Sequence, residues 1–564
     1  MREDAAKGNT STPQTGDQYY AGTCYERAAV AQHWELDTAE MPYLAHIKSL
    51  SNAWPPLRFL ADWMEVGTAP PRWEKVRAKT WERQTRASKT NVKMLGFSAS
   101  AKVEEVDLGT SNELKSALDA KPGHDDINFR LFVVEDLSRE VIELLGSRLE
   151  IDPFFFREQI GDYNWYNTRD AWAMPPNLTA GMNHRNWFRM RHVRFRYIED
   201  DDMYEKARTE SEGFNVFRRP DDDETQWSFM DKPGSMIVMT RTRSSIWIGR
   251  DPQNPDLNVG VVLLDPTITQ GYPLWLGPAN WAPPPAMKLE APPTTPRPKD
   301  LFNLVLQATQ SYPWFSSDTG ITGIDEQVFT LPTIYTICAD WLVACDYLKA
   351  RLSQIDWEME KPAIFRSKGE VIDNSLRRLH IFRRILPVFR EMVSETIEHA
   401  LPTATRLTPQ YGNAKPHPGN LQPLMEDVME DFRRVQGLLN LLQERVDRLT
   451  AVVASEISTE DSRRGLQENH NLSRLTWLAT TFVPLSFVAS FFSMTDDISA
   501  SKFTFGWFFV VAVPLAVVTM VIAAGVGQGW FSKEKQRKTR LVAQEGRYFK
   551  KRDAVAAVKQ KLKK

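Results

Sequence analysis

The sequence predicts an α+β domain, a mixed sheet with flanking helices, followed by a long coiled-coil-like helix and a two-helix transmembrane hairpin. Three observations carry this. Leu475 to Phe492 runs 18 residues without a charge, and Phe503 to Val526 is again uncharged; a helix needs about 20 apolar residues to cross a bilayer core. Met425, Val428, Phe432, Val435, Leu439, Leu442, Val446, Leu449 and Val453 alternate steps of three and four, an a/d seam over about four heptads. Further upstream, short β-branched and aromatic runs alternate with helical spacings. The alternative for the two uncharged runs is a pair of buried core helices, but such helices usually carry charge on an outer face.

In chain order, residues 1–20 are polar and expected to be disordered, and with no apolar run they predict no signal peptide. Residues 21–127 form an N-terminal extension, partly helical, with Trp- and Arg-rich patterns such as Pro56–Val66 and strand signals from Asn91. Residues 128–277 predict an α/β domain. Asn128–Glu135 reads as a strand, Ser138 as the N-cap of a helix ending at Leu149, and Asp152 before Pro153 as a second helix start. Arg189–Tyr197 mixes basic and apolar residues, which predicts a strand with one wet face. Further strands are expected at 235–248 and 257–265. The acidic clusters Glu199–Asp202 and Asp221–Glu224 suit solvated loops better than a divalent-cation site, since no Gly-punctuated ligand spacing accompanies them.

Residues 278–300 are a Pro-rich loop, and 301–400 a helical region with long periodic patterns at 301–310, 327–354 and 371–400. A Pro/Gly break follows at 401–420. Residues 421–474 carry the seam and predict one stalk helix that leads into the first span, its soluble half packed on other helices; the seam also supplies a reason to oligomerise. The first span is 475–494, the outer loop 495–502, the second span 503–527 and the basic tail 531–564.

Lys and Arg number 70 against 72 Asp and Glu, so charge balance gives no reason to expect nucleic acid. Cys24, Cys338 and Cys345 make neither a disulfide framework nor a zinc spacing, and fit a reducing compartment with Cys338 and Cys345 as core residues. The tail holds 13 Lys and Arg against three acids, whereas the outer loop has one Lys and two Asp. The positive-inside rule therefore puts both termini in the cytoplasm, with the tail facing membrane lipid, and the protein in a membrane as a two-span chain, the plasma membrane before an organelle.

No P-loop, dinucleotide fingerprint, HExxH or GxSxG is present. A soluble enzyme in the first half would need a nucleophile–base pair that the sequence does not single out, so no enzyme is expected. Two spans cannot enclose an aqueous path alone; several copies in closed symmetry can. On the first span and its approach, Asn469, Leu472, Leu475, Val483, Ser486 and Ser490 fall near one helix face. The polar ones offer oxygen to a hydrated cation, and the leucines suit a ring that closes by dewetting. The same positions equally suit lipid contact or helix packing, with small Ser490 allowing close approach.

Thr480, Phe482, Pro484, Leu485, Phe487, Ala489 and Met494, followed by a short acidic loop, a second span and a basic tail, resemble the CorA metal-ion transporters. Arg130–Phe156 resembles the amino-terminal domain of CorA-like proteins, particularly the large fungal ones. The resemblance is specific over about 420–530, looser over 128–400, and does not reach residues 1–90. It implies a homopentamer, cytoplasmic α/β domains around a funnel, and a pore lined by the first span. It makes Asn469 the cytoplasmic-side pore Asn, Leu472 and Leu475 the hydrophobic gate, and Ser486 the mid-pore Thr. The family closes its first span on Gly-Met-Asn, whose Asn ring holds hydrated Mg²⁺. Here Ser493, Met494 and Thr495 stand there, so only the Met is kept. Thr495 offers one short oxygen in place of an amide, and Ser493 restricts a turn that Gly makes freely. Asp496 and Asp497 would concentrate cations at the mouth. Gly181-Met182-Asn183 spells the signature, but no apolar span precedes it. The family's regulatory metal would have Glu456, Glu460 and Asp461 as the nearest acids on the long helix.

The expected function is therefore a divalent cation channel, Mg²⁺ first and Zn²⁺ or another divalent second. Mg²⁺ is cargo and regulatory ion, and no cofactor is expected. The alternative, motivated by the altered triplet, is a CorA-derived sensor or scaffold that no longer conducts.

Overall fold

Proline sets the first helices. In a computed structural model describing residues 34–98, 103–120, 127–161, 174, 178–218, 220–222, 232, 234–281, 298–311, 326–360, 368–408, 422–493 and 506–522, α1 (Pro42–Leu50) and α2 (Pro55–Val66) both begin on proline. That residue lacks only an N–H that would be unpaired there anyway. After α3 (Thr80–Ser88) come β1 (Val92–Ser98) and β2 (Val103–Leu108). Then α4 (Ser111–Asp119) starts on a reciprocal cap between Thr110 and Glu113.

The strand β3 (Ile127–Glu135) and the next two helices follow the sequence expectation closely. Ser138 Oγ accepts from the Val141 N–H at the start of α5 (Arg139–Leu149). Asp152 accepts from the Phe154 N–H at 2.9 Å before α6 (Pro153–Ile160). The remaining α/β elements are β4 (Trp187–Ile198), α7 (Asp201–Gly213), β5 (Pro220–Asp222), β6 (Met236–Asp251), β7 (Asn254–Leu264) and the two-residue β8 (Tyr272–Pro273). Asp200, from one acidic cluster, caps α7 by accepting from the Met203 N–H at 2.8 Å; Asp221 and Asp222 lie in β5. Residues 181–183 sit at a four-residue helix, Thr179–Met182, and its cap.

The strands form one mixed sheet in the order β2-β1-β3-β7-β6-β4-β8, with β5 pairing on β6. Among the described strands only β3 and β7 run parallel. Because β1 pairs with both β2 and β3, the N-terminal extension and the α/β domain share one sheet and one core. Tyr43, Leu44, Leu57, Phe59 and Trp63 of the extension are buried in the same cluster as Val141, Ile142, Phe155 and Val261. Burying each such large apolar side chain contributes roughly 1.5–3 kcal/mol. The fit is close: a Cβ on Gly146 would lie 2.3 Å from the Tyr43 ring.

The expected wet face of β4 is absent. Arg194 and Arg196 are buried, at 8% and 5% exposure, and His192 is fully buried. The helices that follow supply the reason. These are α8 (Leu301–Ser311), α9 (Leu331–Glu360) and α10 (Lys368–Glu395). Arg189 and Arg191 both pair with Glu395 of α10, and Arg194 pairs with Asp340 of α9 at 3.4 Å. Cys338 and Cys345 lie buried in α9, as core residues. The helix does not break at Leu401: α10 passes through a wide π-turn, Thr396–Ala400, into α11 (Leu401–Leu407).

The chain divides into two units, Met1–Val453 and Ala454–Lys564. The long helix α12 (Gln422–Phe492) has residues in both. In the first unit, all nine seam residues from Met425 to Val453 are buried. Gln436 Nε2 donates to Ser394 Oγ of α10 at 3.0 Å, and Arg445 reaches Ser353 and Asp356 of α9 at 3.1 and 3.2 Å. The seam is therefore filled by the chain's own helices, as a core stripe, and does not by itself call for a second copy. The second unit holds the rest of α12 and α13 (Gly506–Ile522).

Candidate functional site

The second unit presents the six residues singled out on the first span. At about 100° per residue, Asn469, Leu472, Leu475, Val483, Ser486 and Ser490 share a sector of about 120°. All six are exposed, Leu475 at 63% and Val483 at 65%. Val488, on the opposite side of the helix, is 4% exposed. The only other buried residues described in this unit are Ala512 and Ala516 of α13, a small-xxx-small pair that permits close helix approach. Val488 is thus covered and the six candidate residues are not, and neither are Trp477, Leu478 and Phe482 on other faces of the same helix.

Hydroxyls on this helix are anchored to it. Ser486 Oγ donates to the Phe482 carbonyl at 2.9 Å, and Thr476, Thr480 and Thr481 donate to carbonyls one turn back in the same way. Each donor is spent locally, which leaves oxygen lone pairs outward as acceptors. Pro484 has no N–H, so the Thr480 carbonyl receives no bond from the position four residues on.

Ser493 is exposed and closes α12 with its N–H on the Ala489 carbonyl at 3.0 Å. Met494, Thr495, Asp496 and Asp497 lie outside the described residues, as does the basic tail. Glu460 pairs with Arg464 at 3.7 Å, and Asp461 is exposed. Among the described residues no group of three or more His, Cys, Asp or Glu side chains comes together to hold a metal.

A second polar locus, which the sequence did not mark, lies in the first unit between β4 and α9. A cavity of about 30 Å³ is lined by Arg194, Arg196, Thr240, Thr242, Thr267 and Asp340, among others. Burial pushes the Asp340 carboxyl up to about 6 against the pull of Arg194. Burial, with Arg194 beside it, pushes the His192 imidazole down to about 3, so it is neutral. Its Nε2 lies 3.5 Å from Asp340. The signal for this cluster was the basic run at 189–196, whose partners lie about 150 to 200 positions later and carry no local mark.

Residues 348–526 match the model of a family described as CorA-like Mg²⁺ transporter protein. That match runs from the end of α9 through α13. Among solved structures, the CorA magnesium transporter from Methanocaldococcus jannaschii is similar at 10% identity and a TM-score of 0.38, covering 77% of this chain and 96% of that one. No curated protein matches the chain.

Proposed function

We propose that this chain, whose residues 348–526 match the CorA-like Mg²⁺ transporter family, belongs to that family and works as a divalent cation channel with Mg²⁺ as cargo, in several copies whose first spans line the pore. The observation that carries the reading is the uncovered sector Asn469–Ser490 on a helix with 18 uncharged residues, inside the matched segment. A single hairpin encloses nothing, so the sector needs copies of itself. Closed five-fold symmetry is the arrangement the resemblance implies, with both termini on the cytoplasmic side and the plasma membrane as host.

The chemistry is passive. A dication moving down 100 mV gains about 4.6 kcal/mol. Asn469, Ser486 and Ser490 offer oxygens to the waters of a hydrated ion, which suits Mg²⁺ because it sheds its shell reluctantly. Leu472 and Leu475 give a constriction that closes by dewetting. Ser493, Met494 and Thr495 with Asp496 and Asp497 form the outer mouth. Ring-wise acids contributed by several copies, among them Glu456, Glu460 and Asp461, are the place for a regulatory ion.

The test is uptake into proteoliposomes at negative interior potential, with Mg²⁺, Zn²⁺, Ni²⁺ and Co²⁺ offered separately. Mg²⁺ entry above protein-free vesicles is the expected result, Zn²⁺ entry alone would move the cargo within the same fold, and no flux for any divalent ends the reading. The altered triplet favours a second reading, a non-conducting sensor or scaffold. Under it Ser493→Gly with Thr495→Asn creates flux that the native chain lacks; equal flux in both forms excludes it.

A further inference from the structure

One buried ion pair between the sheet and the helices is looser than its neighbours. Arg189 and Arg191 of β4 hold Glu395 at 2.6 and 2.7 Å. Further along the same strand, the Asp340 carboxyl of α9 is shared at arm's length. Its Oδ2 lies 3.4 Å from Arg194 Nε and 3.5 Å from His192 Nε2. Neither approach makes a hydrogen bond: Asp340 Oδ2 and both ring nitrogens of His192 are buried with no hydrogen-bond partner among the described residues. Asp340 is 4% exposed and His192 not at all. Leaving such a group unmet in the interior costs about 1–3 kcal/mol, and three unmet atoms meet at this one contact.

A proton decides which of them is satisfied. With a proton on the carboxyl, its O–H donates to His192 Nε2 while the imidazole keeps its own proton on Nδ1. Without it, the carboxylate accepts from Arg194 Nε, and His192 Nε2 carries the ring proton as a donor. The cavity of about 30 Å³ that Asp340 lines exceeds the about 10–15 Å³ that one water needs, so water can deliver and remove the proton. Burial holds the carboxyl up to about 6. On β4 the other cation, Arg196, is engaged with the carbonyls of Thr269, Gln270, Gly271 and Lys299. β6 brings Thr240 and Thr242 to the cavity, and Pro266 to Pro278 contains no charged residue. From α10, the Phe389 ring lies 5.5 Å from that of Trp341. From α12, Asp431 acts on Cys338. Arg194 and His192 are thus the groups that govern this carboxyl.

We propose that Asp340 and His192 form a proton switch in the joint between β4 and α9, in which the carboxyl turns between His192 and Arg194 as the proton comes and goes. The helix it acts on is the one that moors the stalk. One stretch of α9 lies on β4, where the Tyr347 ring is 4.8 Å from that of Phe195. Further along, Ser353 and Asp356 hold Arg445 of α12 at 3.1 and 3.2 Å. A change in how α9 sits on the sheet therefore reaches the stalk through side chains in contact. That the switch regulates flux rests on the channel reading; that it titrates does not.

The experiment places full-length native protein, Asp340→Asn and His192→Gln in proteoliposomes and steps the pH on both sides from about 5 to about 7.5. Difference infrared spectra read the carboxyl, and Mg²⁺ flux reads the channel. Native protein should lose one buried protonated-carboxyl band as pH rises through about 6, with flux changing about fivefold or more over the same steps. Asp340→Asn should lack the band and hold the acid-side flux at every pH, because its amide donates to His192 as the carboxylic acid does. His192→Gln keeps the band and should shift its midpoint. A band that does not titrate, that survives Asp340→Asn, or whose midpoint ignores His192→Gln overturns the switch. Native flux that ignores pH, or an Asp340→Asn variant as pH-sensitive as the native chain, overturns its regulatory role. If no divalent passes at any pH, the channel reading fails, and the infrared result alone decides the switch.

Discussion

Glu395 is gripped by two arginines of one strand: Arg189 Nη2 lies 2.6 Å from its Oε1 and Arg191 Nε 2.7 Å from its Oε2. It is the last residue of α10 before the π-turn. Burial alone would raise this carboxyl, but the two guanidiniums overcome that and hold it at about 2. Glu395→Gln should therefore destabilise the first unit by about 1–3 kcal/mol. The sign follows from a lowered folded value: the contribution is complete above the ordinary carboxylate range and is lost as pH falls through about 2. Melts of native and variant protein should differ by a constant amount near neutrality and converge only in strong acid.

Asp340 and His192 pull stability in opposite directions with pH. Asp340 is raised from 3.8 to about 6, so its contribution is full below 3.8 and lost as pH rises through about 6. His192 is lowered from 6.5 to about 3, so its contribution is present above 6.5 and lost as pH falls through about 3. Asp340→Asn should steepen the fall in melting temperature on acidification from about pH 7 to pH 4, and His192→Gln should flatten it. Parallel profiles for the two variants would contradict the assignment.

Gly146→Ala places a Cβ 2.3 Å from the Tyr43 ring. Tyr43 cannot retreat freely, since its hydroxyl donates to the Ile151 carbonyl at 2.6 Å and its N–H to Glu143 at 2.7 Å. The expected cost is about 1–3 kcal/mol, read by denaturant unfolding, and Tyr43→Phe in the same background should recover none of it because the ring remains.

How legible this was depended on where each residue's partners lie. The helix starts at Ser138 and Asp152 were readable because the capping oxygen serves an N–H two or three residues on. The seam was readable because one helix carries its whole period, yet the sequence left open whether its cover came from within the chain or from a second copy. The burial of β4 was not readable: Arg189, Arg191 and Arg194 are answered by Glu395, Glu391 and Asp340, and nothing local distinguishes an answered arginine from a wet one. Trp275 and Leu276, at φ 49° and 67°, gave no warning either, since left-handed backbone is signalled by Gly or Asn and these are neither. In the candidate pore, spacing gave the face, and the cover over Val488 came from the hairpin's packing.

Because the seam is internal, Leu439→Ala should cost about 2–5 kcal/mol in the manner of any core truncation. Leu439 is fully buried. The loss in melting temperature should not vary with protein concentration; a strong concentration dependence would return the seam to an interface between copies.

Leu472 and Leu475, exposed at 59% and 63%, carry the closing constriction in the channel reading. Leu472→Ser with Leu475→Ser should wet that ring and raise Mg²⁺ flux under conditions that hold the native channel shut. Unchanged or lower flux in correctly inserted protein would place the gate elsewhere.

The π-turn at Thr396–Ala400 has a consequence for how one helix can follow one strand. An α-helix lying along a twisted strand slides out of step with it, because 3.6 residues per turn and the strand's own rotation do not keep time. One wide turn inserts a single extra residue and resets the phase. Glu395 on one side of it reaches Arg189 and Arg191, while Leu401 and Ala404 on the other side stay buried and Arg406 still reaches the Arg185 carbonyl. The turn works as a vernier. Deleting one residue there would leave a perfectly regular helix whose far end is rotated by about 100°, keeping the glutamate in its grip and turning Leu401 and Ala404 out toward water.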